Sequence, residues 1–262
     1  MKLAVTGKGG VGKTTLAGLL ARLYAAEGHS VLAIDADPDA NLASALGLPP
    51  EVASKITPVA DLKDLIEERT GAKPGTVGGF FKLNPRVDDI PERFSATHAG
   101  VKLLIMGTVQ AGGAGCVCPE SALLKQLVRH LLIQRDEVVI MDMEAGIEHL
   151  GRGTAAFVNA MIVVVEPGQR SLQTARAVQR LASDIGVKHC FVVGCKVKGQ
   201  ADRDFIAQGA GNIPVLGYLS YSETIIEADR QGVSPFDLDA GAVEEARAIR
   251  RELERLLAGT ES

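Results

Sequence analysis

Nine consecutive residues, Gly7-Lys8-Gly9-Gly10-Val11-Gly12-Lys13-Thr14-Thr15, combine four glycines, two lysines and two hydroxyls. Glycine lets a backbone curl until successive N–H groups point at one anion, so Gly9 to Thr15 form a cradle for phosphate. In such a loop Lys13 reaches β- and γ-phosphate oxygens and the Thr14 hydroxyl ligates Mg²⁺. Phosphoryl transfer also needs carboxylates, one kind to organise the Mg²⁺ shell and another to orient the attacking water. Asp142 follows the apolar run Val138-Val139-Ile140-Met141, and Asp35 and Asp37 follow Val31-Leu32-Ala33-Ile34. We assign Asp142 and Asp35 to the Mg²⁺ shell and Asp37 to the water. Helix capping accounts for one acid in Asp35-Ala36-Asp37-Pro38-Asp39, hardly for all three.

A second chemistry lies in Cys116-Val117-Cys118, within a glycine-rich loop at 112–119. Residues at i and i+2 face the same way on an extended chain, so both sulfurs can meet one metal ion. A soft-metal site with tetrahedral or square-planar geometry needs four donors, and one chain offers two. A two-fold dimer supplies the other pair. By coordination chemistry alone Zn²⁺ fits such a site as well as Ni²⁺ does.

These groups need a scaffold that brings loops to one end. Short apolar runs at 2–6, 30–34, 101–106, 137–141, 160–165, 189–197 and 214–218 read as buried strands, and segments of helical spacing fall between most of them. That alternation predicts a single α/β domain over 1–262, with a doubly wound, mainly parallel sheet of seven to eight strands. Ligands bind such sheets beyond the carboxyl ends of the strands, where both the cradle and the acids fall. Apolar residues make up 46% of the 262 residues and aromatics only 4%, which suits a core of Val, Ile, Leu and Ala between sheet and helices. We expect a helix over 59–69, an irregular excursion over about 72–97 with a hairpin near 80–83, and a helix from a Ser121 cap to 135. A final amphipathic helix at 243–257 is expected to pack on the domain.

The formal charge of −4 lacks the basic excess of a nucleic-acid protein, and no run is long enough to span a membrane. With no leader in view and four cysteines read as thiols, the expected location is the cytoplasm, with no nucleic-acid or membrane partner.

Lys8, at the second position of the loop, resembles the deviant Walker A signature of the MinD, ParA and nitrogenase-iron-protein ATPases. In that class this lysine reaches the nucleotide of a partner subunit, which implies an ATP-driven homodimer in which Lys8, Lys13 and Asp37 are catalytic. Its members carry an Asn that reads adenine near the end of a late strand. Here Cys195 stands there, so backbone groups around Leu219 to Ser222 are expected to take over the base. No Asn-Lys-x-Asp guanine signature occurs, and ATP is the expected nucleotide.

Within the class, Gly115-Cys116-Val117-Cys118-Pro119-Glu120, the segment Asp142–Thr154 and Pro167-Gly168-Gln169-Arg170-Ser171 resemble the CooC-type nickel-insertion ATPases. That resemblance implies Ni²⁺ held between subunits by Cys116 and Cys118, with carbon monoxide dehydrogenase as client. A nickel ATPase serving acetyl-CoA synthase is a close variant. Two other readings follow from the wider class: a ParA- or MinD-like positioning ATPase, and an electron-transfer ATPase with an iron–sulfur cluster.

Overall fold

The computed structural model describes residues 1–75, 80–108, 118–145 and 155–259. Eight strands form one sheet in the order β3-β4-β2-β5-β1-β6-β7-β8. They are β1 (Lys2–Gly7), β2 (Val31–Asp35), β3 (Ala96–His98), β4 (Val101–Ile105), β5 (Val138–Asp142), β6 (Ala160–Val165), β7 (Cys190–Val197) and β8 (Val215–Ser220). All pairings are parallel except that of β3 with β4.

The strands read as unbroken apolar runs because both faces are covered. Along β1, Ala4 faces one core, whereas Leu3 and Val5 face the other. The first core takes Leu123, Leu127 and Leu131 of α6 (Pro119–Ile133) and Leu172 and Val178 of α7 (Gln169–Ile185). The second takes Leu16, Leu19, Leu20 and Leu23 of α1 (Lys13–Ala26). It also takes Val243, Ala246, Ile249 and Leu253 of α11 (Ala240–Ala258). The apolar stripe of the final helix is thus spent on its own domain. Among the described residues no helix is long and apolar enough to cross a membrane.

The region between β2 and β4 departs from expectation. Short helices α2 (Leu42–Ala45) and α3 (Pro50–Ala53) come first. The predicted helix at 59–69 is a 3₁₀ turn, Val59–Asp61, and then α4 (Lys63–Thr70). They break at Leu62, whose ψ of 70° lies outside the helical region, and the Ala60 N–H of the first turn bonds the Met106 carbonyl beyond β4. The hairpin expected near 80–83 is absent among the described residues. Phe80 is fully exposed, and the Lys82 N–H bonds the Thr70 carbonyl. The hairpin present is β3–β4, after the short helix α5 (Ile90–Phe94), turning at Ala99-Gly100 with φ of 46° and 79°. Two positive φ values match the right-handed twist of a tight hairpin. Arg69 holds the excursion through Asp89 at 2.8 Å, and the Gly75 N–H bonds Glu120 of α6 at 2.6 Å.

Helix α6 starts at Pro119, with Cys118 in the N-cap position, and not at Ser121; proline's fixed φ suits the first helical position. It ends at Ile133, where Arg135 leaves to bridge Glu137 and Glu92. Further helices are α8 (Gln200–Gly209), α9 (Glu223–Gln231) and α10 (Pro235–Leu238).

Candidate functional site

β1 lies between β5 and β6 and delivers Gly7 to Gly12 at the carboxyl end of the sheet. Gly7 (φ 153°) and Gly12 (φ 100°) take conformations that glycine permits, and Gly12 is the N-cap of α1. The positive end of that helix therefore faces the loop. Lys8 is exposed at the apex. An added Cβ at Gly9 or Gly10 would meet nothing within 4 Å.

Register brings the acids together. Asp35 pairs with Asp142 across β2 and β5, and both are fully buried. Asp142 Oδ2 accepts the Thr14 hydroxyl at 2.6 Å, while its Oδ1 is buried without a partner. Asp35 spends both oxygens on backbone, accepting N–H from Asp37 at 3.2 Å and from Leu42 at 2.8 Å. It therefore fastens the loop that carries Asp37. Burial pushes both carboxyls up, Asp35 to about 7 and Asp142 to about 6, with neighbouring carboxylates adding to the rise. Asp37 reaches back to the cradle: its Oδ2 lies 2.5 Å from Lys13 Nζ, with both side chains more than nine-tenths buried. Its Oδ1 accepts the Asp39 N–H at 3.0 Å.

A cleft of about 500 Å³ opens over these groups, lined by Gly9, Gly12, Lys13, Thr14, Asp37 and Lys196 among others. A slot of about 90 Å³ adjoins it, bounded by Gly12, Thr15, Cys195, Leu219, Tyr221 and Ile225. Cys195 is buried, and burial pushes its thiol up to about 12, so it stays neutral. The Ser220 N–H is held by Glu245 and that of Tyr221 by the Val197 carbonyl, so neither is a donor for a base. A groove of about 610 Å³ lies at the opposite end of the sheet, where Glu92 and Glu137 are paired with Arg135 and Lys102.

Of the two expected metal residues, Cys118 is described. Cys118 is 4% exposed, and its thiol donates to Ser121 Oγ at 3.3 Å. Cys116 lies outside the described residues, as does most of its loop. Among the described residues no cluster of three or more His, Cys, Asp or Glu is placed to hold a metal. Lys196, on the cleft wall, gave no signal in the sequence, where it is simply a charged residue within a strand.

A model of the CobQ/CobB/MinD/ParA nucleotide-binding domain matches residues 2–236. The chain belongs to this family. It is an ATP-binding P-loop protein and an ATPase. The CobQ/CobB/MinD/ParA relatives include the carbon monoxide dehydrogenase accessory protein CooC of Rhodospirillum rubrum. That protein is 51% identical over 253 residues, covering 97% of this chain and 96% of its own. An uncharacterized ATP-binding protein of Methanocaldococcus jannaschii is 46% identical, covering 95% and 96%. Solved structures of the family share the fold. A ParA family ATPase from Chlorobium tepidum aligns with a TM-score of 0.68 at 16% identity, covering 97% of this chain and 98% of that one. The Aquifex aeolicus MinD protein gives 0.65 at 19%, covering 98% and 97%.

Proposed function

We propose that this protein is an ATP-dependent nickel chaperone that matures carbon monoxide dehydrogenase, working as a dimer with Ni²⁺ as cargo between subunits. The observation that carries the reading is 51% identity with a carbon monoxide dehydrogenase accessory protein along 97% of the chain. Cys116 and Cys118 are the proposed donors to the cargo, with Zn²⁺ as a competitor. The buried stripe of α11 and the acidic total charge speak against a membrane- or DNA-bound positioning ATPase. Two cysteines separated by one residue suit a four-sulfur site across a two-fold axis better than a cubane cluster.

In this reading Gly9 to Thr15 hold the phosphates, and Lys13 and Lys8 neutralise charge that develops during transfer. Magnesium, when bound, would supply neutralisation of phosphate charge. Thr14 and the free Oδ1 of Asp142 are the groups that fit it, the oxygen being a buried acceptor without a donor. Asp35 holds the switch loop in register and stands one strand away from that shell. Asp37 orients the attacking water once the phosphates have taken Lys13 from it. The neighbouring slot, with Leu219 on its wall, takes the adenine. Closure follows if ATP contacts the dimer better than the monomer, and Lys8 is the group placed to make that difference.

The test is metal content per dimer for Ni²⁺ and Zn²⁺, with and without ATP, in the wild type and in the Cys116→Ser/Cys118→Ser double variant. About one metal per dimer, lost in the double variant, is the expected result. Metal retained by the double variant sinks the site.

A further inference from the structure

Among the described residues only Ala99 and Lys196 take positive φ without being glycine. Ala99 sits in a hairpin turn, where such values belong. Lys196, at φ 58°, sits inside β7. The left-handed region is sterically costly for a residue with a Cβ, so a strand that adopts it gains something in exchange. Gly194 pairs with Tyr218 and Val197 with Ser220, so three steps on β7 oppose two on β8. The extra residue is a bulge, and bulges re-aim side chains.

This bulge aims Lys196 at the phosphate loop. Its Nζ donates to the Gly10 carbonyl at 2.5 Å and lies 3.8 Å from Glu166 Oε2. The loop apex has little else to fix it. The Val11 N–H closes on the Lys8 carbonyl at 3.4 Å, and the surroundings of Gly9 and Gly10 are open. A peptide flip there would change which backbone groups of the loop face the phosphates. The ammonium of Lys196 opposes that flip by holding the Gly10 carbonyl.

We infer that Lys196 is a positioning residue that braces the apex of the phosphate loop, fixing the peptide that carries the Gly10 carbonyl beside the exposed Lys8. It acts on nucleotide through the loop. The inference rests on nucleotide binding by that loop and needs neither the nickel cargo nor the dimer.

The experiment compares Lys196→Gly with Lys196→Arg. Glycine fits the left-handed bulge better than lysine does, so Lys196→Gly is expected to melt no lower than wild type. Its affinity for ADP and ATP, by calorimetry, is expected to fall roughly tenfold or more, the worth of one charge-assisted hydrogen bond. Arg keeps a cationic donor and is expected to restore binding to within about threefold of wild type. Wild-type affinity in Lys196→Gly overturns the brace, as does an Arg variant no better than Gly. So does a nucleotide-bound structure in which Nζ has left the Gly10 carbonyl. A wild-type protein that binds no nickel, with Lys196→Gly weakening nucleotide binding as expected, would instead count against the chaperone reading alone.

Discussion

Replacing Asp37 by Asn removes the carboxylate that holds Lys13 and leaves an amide of nearly the same shape. Asn Oδ1 still accepts the Asp39 N–H, so the loop keeps its local bond. The lost contact is a 2.5 Å ion pair with side chains 8% and 7% exposed. A nucleotide must take Lys13 from Asp37 before its phosphates can use the ammonium. A hydrogen bond to a charged group is worth about 1.5–3 kcal/mol net, and each 1.4 kcal/mol is tenfold in affinity. Asp37→Asn is therefore expected to bind ADP and ATP roughly ten- to a hundredfold more tightly. The free protein is expected to be less stable, because an unpaired buried ammonium costs several kcal/mol. Nucleotide should then raise its melting temperature by more than it raises that of the wild type. Hydrolysis should fall by roughly 10²–10⁴, the range for losing a general base. Calorimetric titration with ADP, beside single-turnover hydrolysis, checks both. An ADP affinity unchanged or weaker in Asp37→Asn refutes the competition, whatever happens to turnover.

Stability should also depend on pH with a definite sign. Asp35, raised from 3.8 to about 7, and Asp142, raised to about 6, hold protons in the folded chain that the unfolded chain has released. Their contribution is full below about pH 4, declines as pH rises through the folded values, and is gone above about pH 7. Glu137, lowered to about 2, and Asp89, also lowered by its arginine partners, act oppositely, but theirs is lost only below about pH 4.5. Without magnesium and nucleotide the protein should melt higher at about pH 5.5 than at about pH 8, and Mg·ADP should shrink the difference. A melting temperature that climbs over that interval in the bare protein contradicts the burial argument. In the loop, a Cβ at Gly7 would lie 2.5 Å from the Val164 carbonyl oxygen. Gly7→Ala should cost on the order of 2–4 kcal/mol in urea unfolding, whereas Gly9→Ala, in open space, should leave the fold within about 1 kcal/mol. Equal losses would deny the steric difference.

Much of this was legible because the relevant signals are local. A glycine-lysine string between an apolar run and a helix specifies its own geometry, and an acid after four apolar residues marks a strand end. The Asp35–Asp142 register was not legible, since strand order is decided by packing between segments a hundred residues apart. The pairing of Asp37 with Lys13 depends on that order in turn. β3 escaped because three residues, Ala-Thr-His, carry no apolar period. The start of α6 is readable from Pro119, whose fixed φ marks the first helical position more strongly than Ser121 marks a cap. The bulge at Lys196 had no local mark, because a left-handed lysine looks like any other lysine in a strand.

The central place of β1 has a consequence for how this site moves. Its backbone is bonded on both sides, to β5 and to β6. Its amides should therefore be among the last in the chain to exchange with deuterium, opening only with global unfolding. The phosphate loop and Lys13 hang from that anchored strand, whereas Asp37 rides on a loop fastened by the two hydrogen bonds to Asp35. Any motion that opens or closes the nucleotide site thus falls to the aspartate side, with the lysine side as its fixed reference.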